Sequence, residues 1–220
     1  THNSIVKVNG TIYALSYTGS GNAGYIKTFN ISNDGTEMEA LGQAIHQSNG
    51  TSYNSLVVAD ENTIVLAYMG PNYDGYIKTF TVSANGADIT QVQASEHNTS
   101  TGMYNSLLKM DADTYLLAYT GHGNDGYIRT FTIPDDGSSI TAVTQIQHNT
   151  SHGVWNSVVQ VDYNTYALAY YGYDTNDEYG LIQTFTISLD GSTITEVASQ
   201  KFTTTTNYGR HNSFIKLNSD

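Results

Sequence analysis

The chain has no cysteine among its 220 residues, which excludes disulfides and thiolate metal sites outright. Basic residues are also scarce: 8 Lys and Arg against 20 Asp and Glu leave a net charge of −12. A surface of that sign repels nucleic acid and anionic membranes, so neither is expected as a partner. No apolar run approaches the roughly 18 residues of a membrane span, and no membrane insertion is expected. No window places apolar residues at helical spacing for three turns. Proline occurs twice only, whereas Gly, Asn, Thr and Tyr are abundant. Tyr and Thr suit strands, and Gly and Asn suit the turns between them.

What is present is a repeat. Tyr17, Tyr68, Tyr119 and Tyr170 stand 51 positions apart, as do Gly24, Gly75 and Gly126. Each repeat holds four strand-like segments. The first begins at Asn3, Asn54, Asn105 or Asn156, and the element recurs at Asn212. The second is of the Tyr-Ala-Leu-Ser-Tyr type, and the third reads Gly-Tyr-Ile-Lys-Thr-Phe, as at Gly24 and Gly75. Asp34-Gly35, Asn85-Gly86, Asp136-Gly137 and Asp190-Gly191 then give the positive φ that a tight hairpin turn needs. The fourth segment is the most polar and is expected at an outer rim. In the third segment Tyr127, Arg129 and Phe131 share one face while Ile128 and Thr130 share the other. Both faces are partly apolar, so one sheet cannot shield itself from water, whereas neighbouring sheets stacked face to face can.

These residues predict an all-β fold of four-stranded antiparallel blades over residues 1–220 as a single domain. The repeats begin near 3, 54, 105 and 156, with an extra first strand over 211–217. Period and segment order resemble the β-propeller superfamily over essentially the whole chain. The period is similar to that of kelch repeats, although no Gly-Gly pair and no Trp-Asp dipeptide occurs. The resemblance implies blades that run from an inner first strand to an outer fourth. His2-Asn3-Ser4 and His211-Asn212-Ser213 are the same element, so four repeats carry five first strands. The reading favoured is a piece of a longer array. The alternative is a displaced or chain-pairing terminal strand, with self-association through it.

The longer loops fall at one end of the blades, where function is expected. Just before each Asn-Ser pair stand Tyr53, Tyr104, Trp155 and His211, beside Asn54, Asn105, Asn156 and Asn212. Aromatic faces with amide groups alongside suit a glycan. His46, His97 and His148 recur at the end of the fourth segment, where hydrogen bonding to the adjacent turn is expected of them. The last repeat departs from the others through Tyr171-Gly-Tyr-Asp-Thr-Asn-Asp-Glu-Tyr179, three residues longer than its counterparts. Asp174, Asp177 and Glu178 there form an oxygen set that could hold calcium, the one cofactor considered. The symmetry-breaking residues His122, His152, Asp174, Glu178, Arg210 and His211 show no recognisable catalytic spacing. The reading that results is a non-catalytic module, extracellular or periplasmic, holding a glycan or an extracellular protein. A structural or adhesive array is the alternative, and an enzyme with its site in the last repeat's irregular loops comes third.

Overall fold

The computed structural model describes residues 2–174, 177–206 and 208–216. Four strands form the first blade: β1 (Ser4–Asn9), β2 (Ile12–Thr18), β3 (Gly24–Ile31) and β4 (Met38–Gln47). The second comprises β5 (Ser52–Asp60), β6 (Thr63–Met69), β7 (Gly75–Val82) and β8 (Ile89–Asn98). The third comprises β9 (Met103–Lys109), β10 (Thr114–Thr120), β11 (Gly126–Thr132) and β12 (Thr141–Asn149). The fourth comprises β13 (Gly153–Asp162), β14 (Thr165–Asp174), β15 (Asp177–Ile187) and β16 (Ile194–Lys201). Each is a four-stranded antiparallel sheet in which sequential strands are neighbours. Among the described residues the only helical pieces are three single 3-10 turns. The architecture is that of a β-propeller built from four-stranded blades.

By contact density the chain divides into two compact units. One comprises residues 1–103 and 133–141, the other 104–132 and 142–220. In the first unit Val8, Ile12, Ala14 and Ile26 of blade one meet Leu56, Ile64, Leu66, Tyr68 and Phe80 of blade two. In the second unit Leu116, Ala118 and Ile128 of blade three meet Val158, Tyr166, Leu168, Tyr170 and Phe185 of blade four. Alternation along each strand sends one set of side chains to each face, so a blade has apolar residues on both. Full burial of a Leu, Ile or Phe side chain is worth about 1.5–3 kcal/mol. These interfaces therefore carry most of what holds a blade that could not fold alone.

Polar bolts join the third strand of one blade to a tight turn of the next. Thr28 Oγ1 donates to Gly86 O at 2.5 Å, Thr79 to Gly137 O at 2.8 Å, and Thr130 to Gly191 O at 2.7 Å. The acceptors belong to the tight turns, whose glycines hold φ of 73°, 68° and 71°. In turns of this type the Asp or Asn before the glycine caps the chain. Asp34 and Asp190 each accept from a Ser hydroxyl at 2.6 Å. These bonds hold both carboxyls down at about 2.

Two expectations need revision. His46 does not bond to the turn beside it. Its imidazole is buried under Gly24, edge-on to Tyr68 with ring centroids 4.7 Å apart, and among the described residues neither ring nitrogen finds a hydrogen-bond partner. His148 packs likewise under Gly126 and against Tyr170 at 4.6 Å. Asn98 and Asn149 hold the turns instead, each Oδ1 accepting from two backbone amides. The second revision concerns the extra first strand. Residues 211–216 lie beside blade four, bonded to Trp155 O and Ser157 Oγ, but form no ladder. Leu217 lies outside the described residues.

Candidate active site

Each aromatic that precedes an Asn-Ser pair sits in a left-handed backbone conformation. The φ values are 55° at Tyr53, 50° at Tyr104, 55° at Trp155 and 59° at His211. Non-glycine residues held there cost of order 1–3 kcal/mol. The register slips by one residue at the same places, between Ser52 and Ser55 and between Val154 and Ser157. Each is a β-bulge, which re-aims one side chain. These rings meet one another at a tilt: His2 and Tyr53 with centroids 4.8 Å apart, Tyr104 and Trp155 at 5.2 Å, and Trp155 and His211 at 5.0 Å.

The neighbouring asparagines are used inside the protein. Asn54 Nδ2 donates to His2 O at 3.2 Å, Asn156 Nδ2 to Tyr104 O at 3.4 Å, and Asn212 Nδ2 to Trp155 O at 3.2 Å. Asn54 and Asn156 are buried, and Asn105 is half-buried at the same repeat position. The amides of Asn54, Asn156 and Asn212 thus each donate to the main chain of the preceding first strand.

The last blade breaks the pattern. Where other blades join second to third strand through a 3-10 turn, β14 and β15 continue outward as a longer hairpin. The added pairs are Gly172 with Tyr179, Tyr173 with Glu178 and Asp174 with Asp177. Thr175 and Asn176 lie outside the described residues. The lengthening turns Glu178 toward Tyr171 and His152. Glu178 Oε2 accepts from the Tyr171 hydroxyl at 2.5 Å, and Glu178 Oε1 lies 2.5 Å from His152 Nδ1. Arg210 reaches the same phenol, Nη2 to Oη at 3.4 Å, with its guanidinium 5.0 Å from the Tyr171 ring and 5.4 Å from that of Trp155. His152 stacks on Tyr173 with centroids 6.0 Å apart. Desolvation first, and Glu178 second, raise the Tyr171 phenol above its ordinary range while Arg210 opposes them, so the phenol stays protonated.

The carboxylates expected to share calcium are dispersed. Asp174 pairs with Lys201 Nζ at 2.9 Å, Glu178 serves His152 and Tyr171, and Asp177 is exposed. Among the described residues no three His, Asp or Glu side chains converge as a metal site. Beside the hairpin a cleft of about 340 Å³ is lined by Asn149, Tyr170, Tyr173, Asp174 and Glu196. In the first unit a cleft of about 540 Å³ is lined by Thr18, Gly50, Thr51, Met69 and Tyr73. Gly50 and Met69 occupy there the repeat positions of His152 and Tyr171.

Of the residues singled out as breaking the repeat, His152, Glu178 and Arg210 converge. Tyr171 was not among them. The signal was available, because the other repeats carry Thr18, Met69 and Thr120 at its position.

No protein-family model and no curated protein sequence matches the chain. Solved structures do match it in fold. A hypothetical selenium-binding protein from Sulfolobus tokodaii aligns with a TM-score of 0.63 at 8% identity, over 90% of this chain and 54% of its own. A provisionally named 6-phosphogluconolactonase from Bacteroides uniformis aligns with a TM-score of 0.62 at 12% identity, over 90% and 56%. Another, from Bacteroides fragilis, gives 0.56 at 12% identity, over 90% and 70%. The chain spans about half the length of the first of these. At such identities the likeness shows the fold alone. It nevertheless corrects the reading as a non-catalytic module for a glycan or extracellular protein, with an adhesive array as its alternative. Blades of this kind occur in proteins named as lactonases, so the architecture gives no ground for excluding catalysis. Of the amides expected to bind a glycan, those of Asn54, Asn156 and Asn212 moreover donate to main-chain carbonyls.

Proposed function

We propose that the chain is a hydrolase whose acid–base centre is the His152–Glu178–Tyr171–Arg210 cluster, acting on the carbonyl of a small, polar, lactone-like ester. One observation carries this reading. Glu178 holds both His152 Nδ1 and the Tyr171 hydroxyl at 2.5 Å, among residues that the other three blades lack. The names of the fold neighbours support the choice of a lactone over other esters.

A proton on Nδ1 is the assignment that so close a carboxylate favours. Nε2 is then the ring's remaining base, and Glu178 orients the imidazole. Nε2 takes a proton from water, and the resulting hydroxide adds to the carbonyl carbon. The oxygen that becomes negative is met by the Arg210 guanidinium and the protonated Tyr171 hydroxyl. Collapse breaks the ring C–O bond, and the imidazolium returns its proton to the leaving oxygen. Water is added across one C–O bond, giving a hydroxy acid. The exposed rings of Tyr173 and His211 flank the centre as stacking surface for an apolar sugar face.

The test is hydrolysis of a panel of sugar lactones and aryl esters in a pH-stat, with the wild type and Glu178→Gln. Turnover by the wild type with a loss of about 10²-fold or more in the variant is expected. No turnover above buffer by the wild type, or equal rates in both proteins, would sink the reading.

A further inference from the structure

Within each unit one blade face meets the opposite face of the next blade, and one face of blade one and one face of blade four are more exposed than their counterparts. On blade one, Ile5 is 56% exposed, whereas Leu56, at the same repeat position, is 4% exposed. Leu15 is half-buried where Leu66, Leu117 and Leu168 are fully buried. On blade four, Ile182 is half-buried where Ile26, Ile77 and Ile128 are fully buried. Phe202 lies over Gly180, as His46 lies over Gly24, yet it is 49% exposed against 3% for His46.

The polar bolt is cut in the same two places. Thr28, Thr79 and Thr130 are fully buried under the next turn, while Thr184, their counterpart on blade four, is half-buried. A side-chain carbon placed on Gly86, Gly137 or Gly191 would come within 2.6, 2.8 or 3.0 Å of the preceding blade. At Gly35, in the same turn of blade one, it would meet nothing within 4 Å. Blade four thus presents an unfilled hydroxyl position, and blade one presents the turn that fills it elsewhere.

We propose that these two faces bind one another between copies, so that blade one of a second copy of this chain docks on blade four of the first. The occupant is fixed by continuity with the interfaces already inside the chain. The partner face must offer Ile5 and Leu15 to Ile182 and Ala169, and the Gly35 carbonyl to Thr184. A second copy carries all of these. An apolar hollow of about 230 Å³ lies on this face between Ala169, Ile182 and Phe202 and residues 212–214, and it opens to the incoming side chains when that segment leaves.

Residues 211–216 act as the placeholder at this junction. Asn212 Nδ2 donates to Trp155 O at 3.2 Å, and Phe214 N to Ser157 Oγ at 2.8 Å. Asn54 Nδ2 and Leu56 N make the same bonds to His2 O and Ser4 Oγ at 3.2 and 3.0 Å. His211-Asn-Ser-Phe-Ile-Lys216 matches His2-Asn-Ser-Ile-Val-Lys7 closely enough for the incoming β1 to replace it bond for bond.

Sedimentation velocity from 1 to 100 μM tests this with the full chain. The wild type is expected to shift from one chain toward two or more as concentration rises. Leu15→Arg blocks blade one and Ile182→Arg blocks blade four, so each variant alone stays monomeric. A mixture of the two recovers a species of two chains, because each supplies the face the other lacks. Neither residue belongs to the proposed catalytic centre, and unchanged circular dichroism establishes folding. A wild type that is monomeric at every concentration overturns the proposal. So does association that survives both substitutions, or a mixture that stays monomeric.

Discussion

Lowering the pH from 7 to 5 should weaken the fold through His46 and His148. Burial holds each imidazole at about 3, helped at His46 by the neighbouring Lys78. In the unfolded chain each returns to about 6.5. The folded value is depressed, so the unfolded state binds the proton first. Stability is intact above about pH 6.5 and is lost as pH falls toward 3. Integrating that linkage from pH 7 to 5 gives about 2 kcal/mol per histidine. Asp34 and Asp190 contribute little in this window, since they lie lower still. The assay is urea unfolding at pH 7 and pH 5. Phe202 occupies the same repeat position in blade four, so His46→Phe and His148→Phe place a residue the chain already uses there. Each substitution should remove about 2 kcal/mol of the pH-dependent loss, and the pair about twice that. Variants that lose as much stability between pH 7 and 5 as the wild type would refute the reasoning.

Two further substitutions probe the packing. Gly24→Ala would bring a methyl carbon to within 2.3 Å of the His46 ring, and overpacking of that kind should cost about 1–3 kcal/mol in urea unfolding. Thr130→Val removes the donor to Gly191 O from a fully buried site, at about 1–3 kcal/mol, whereas Thr184→Val on the half-buried face should cost less in the monomer.

The blades were legible because period and alternation are written in residue type. Ile128 and Thr130 against Tyr127 and Phe131 announce two apolar faces, and Asp136-Gly137 announces its own turn. The left-handed aromatics were not legible. Nothing in a Tyr or Trp signals positive φ, which is imposed by the bulge between fixed strands. Nor was the role of His46, because its partner is a glycine on the adjacent strand, and empty space leaves no mark in a pattern of side chains. At the candidate site the irregular loop was visible, but Glu178 read as one of three acids for a cation. Extending the hairpin pairs Glu178 with Tyr173 across the strands and separates it from Asp174, which Lys201 claims. Only the fold brings in His152 and Arg210 from distant stretches of chain.

The most direct measurement is a crystal soaked with the hydroxy acid that lactone hydrolysis would yield. The account predicts the product's carboxylate against the Arg210 guanidinium and the Tyr171 hydroxyl, with its carboxyl carbon facing His152 Nε2. Product bound only in the open cleft beside Met69, or absent while the His152–Glu178 contact is intact, would contradict it.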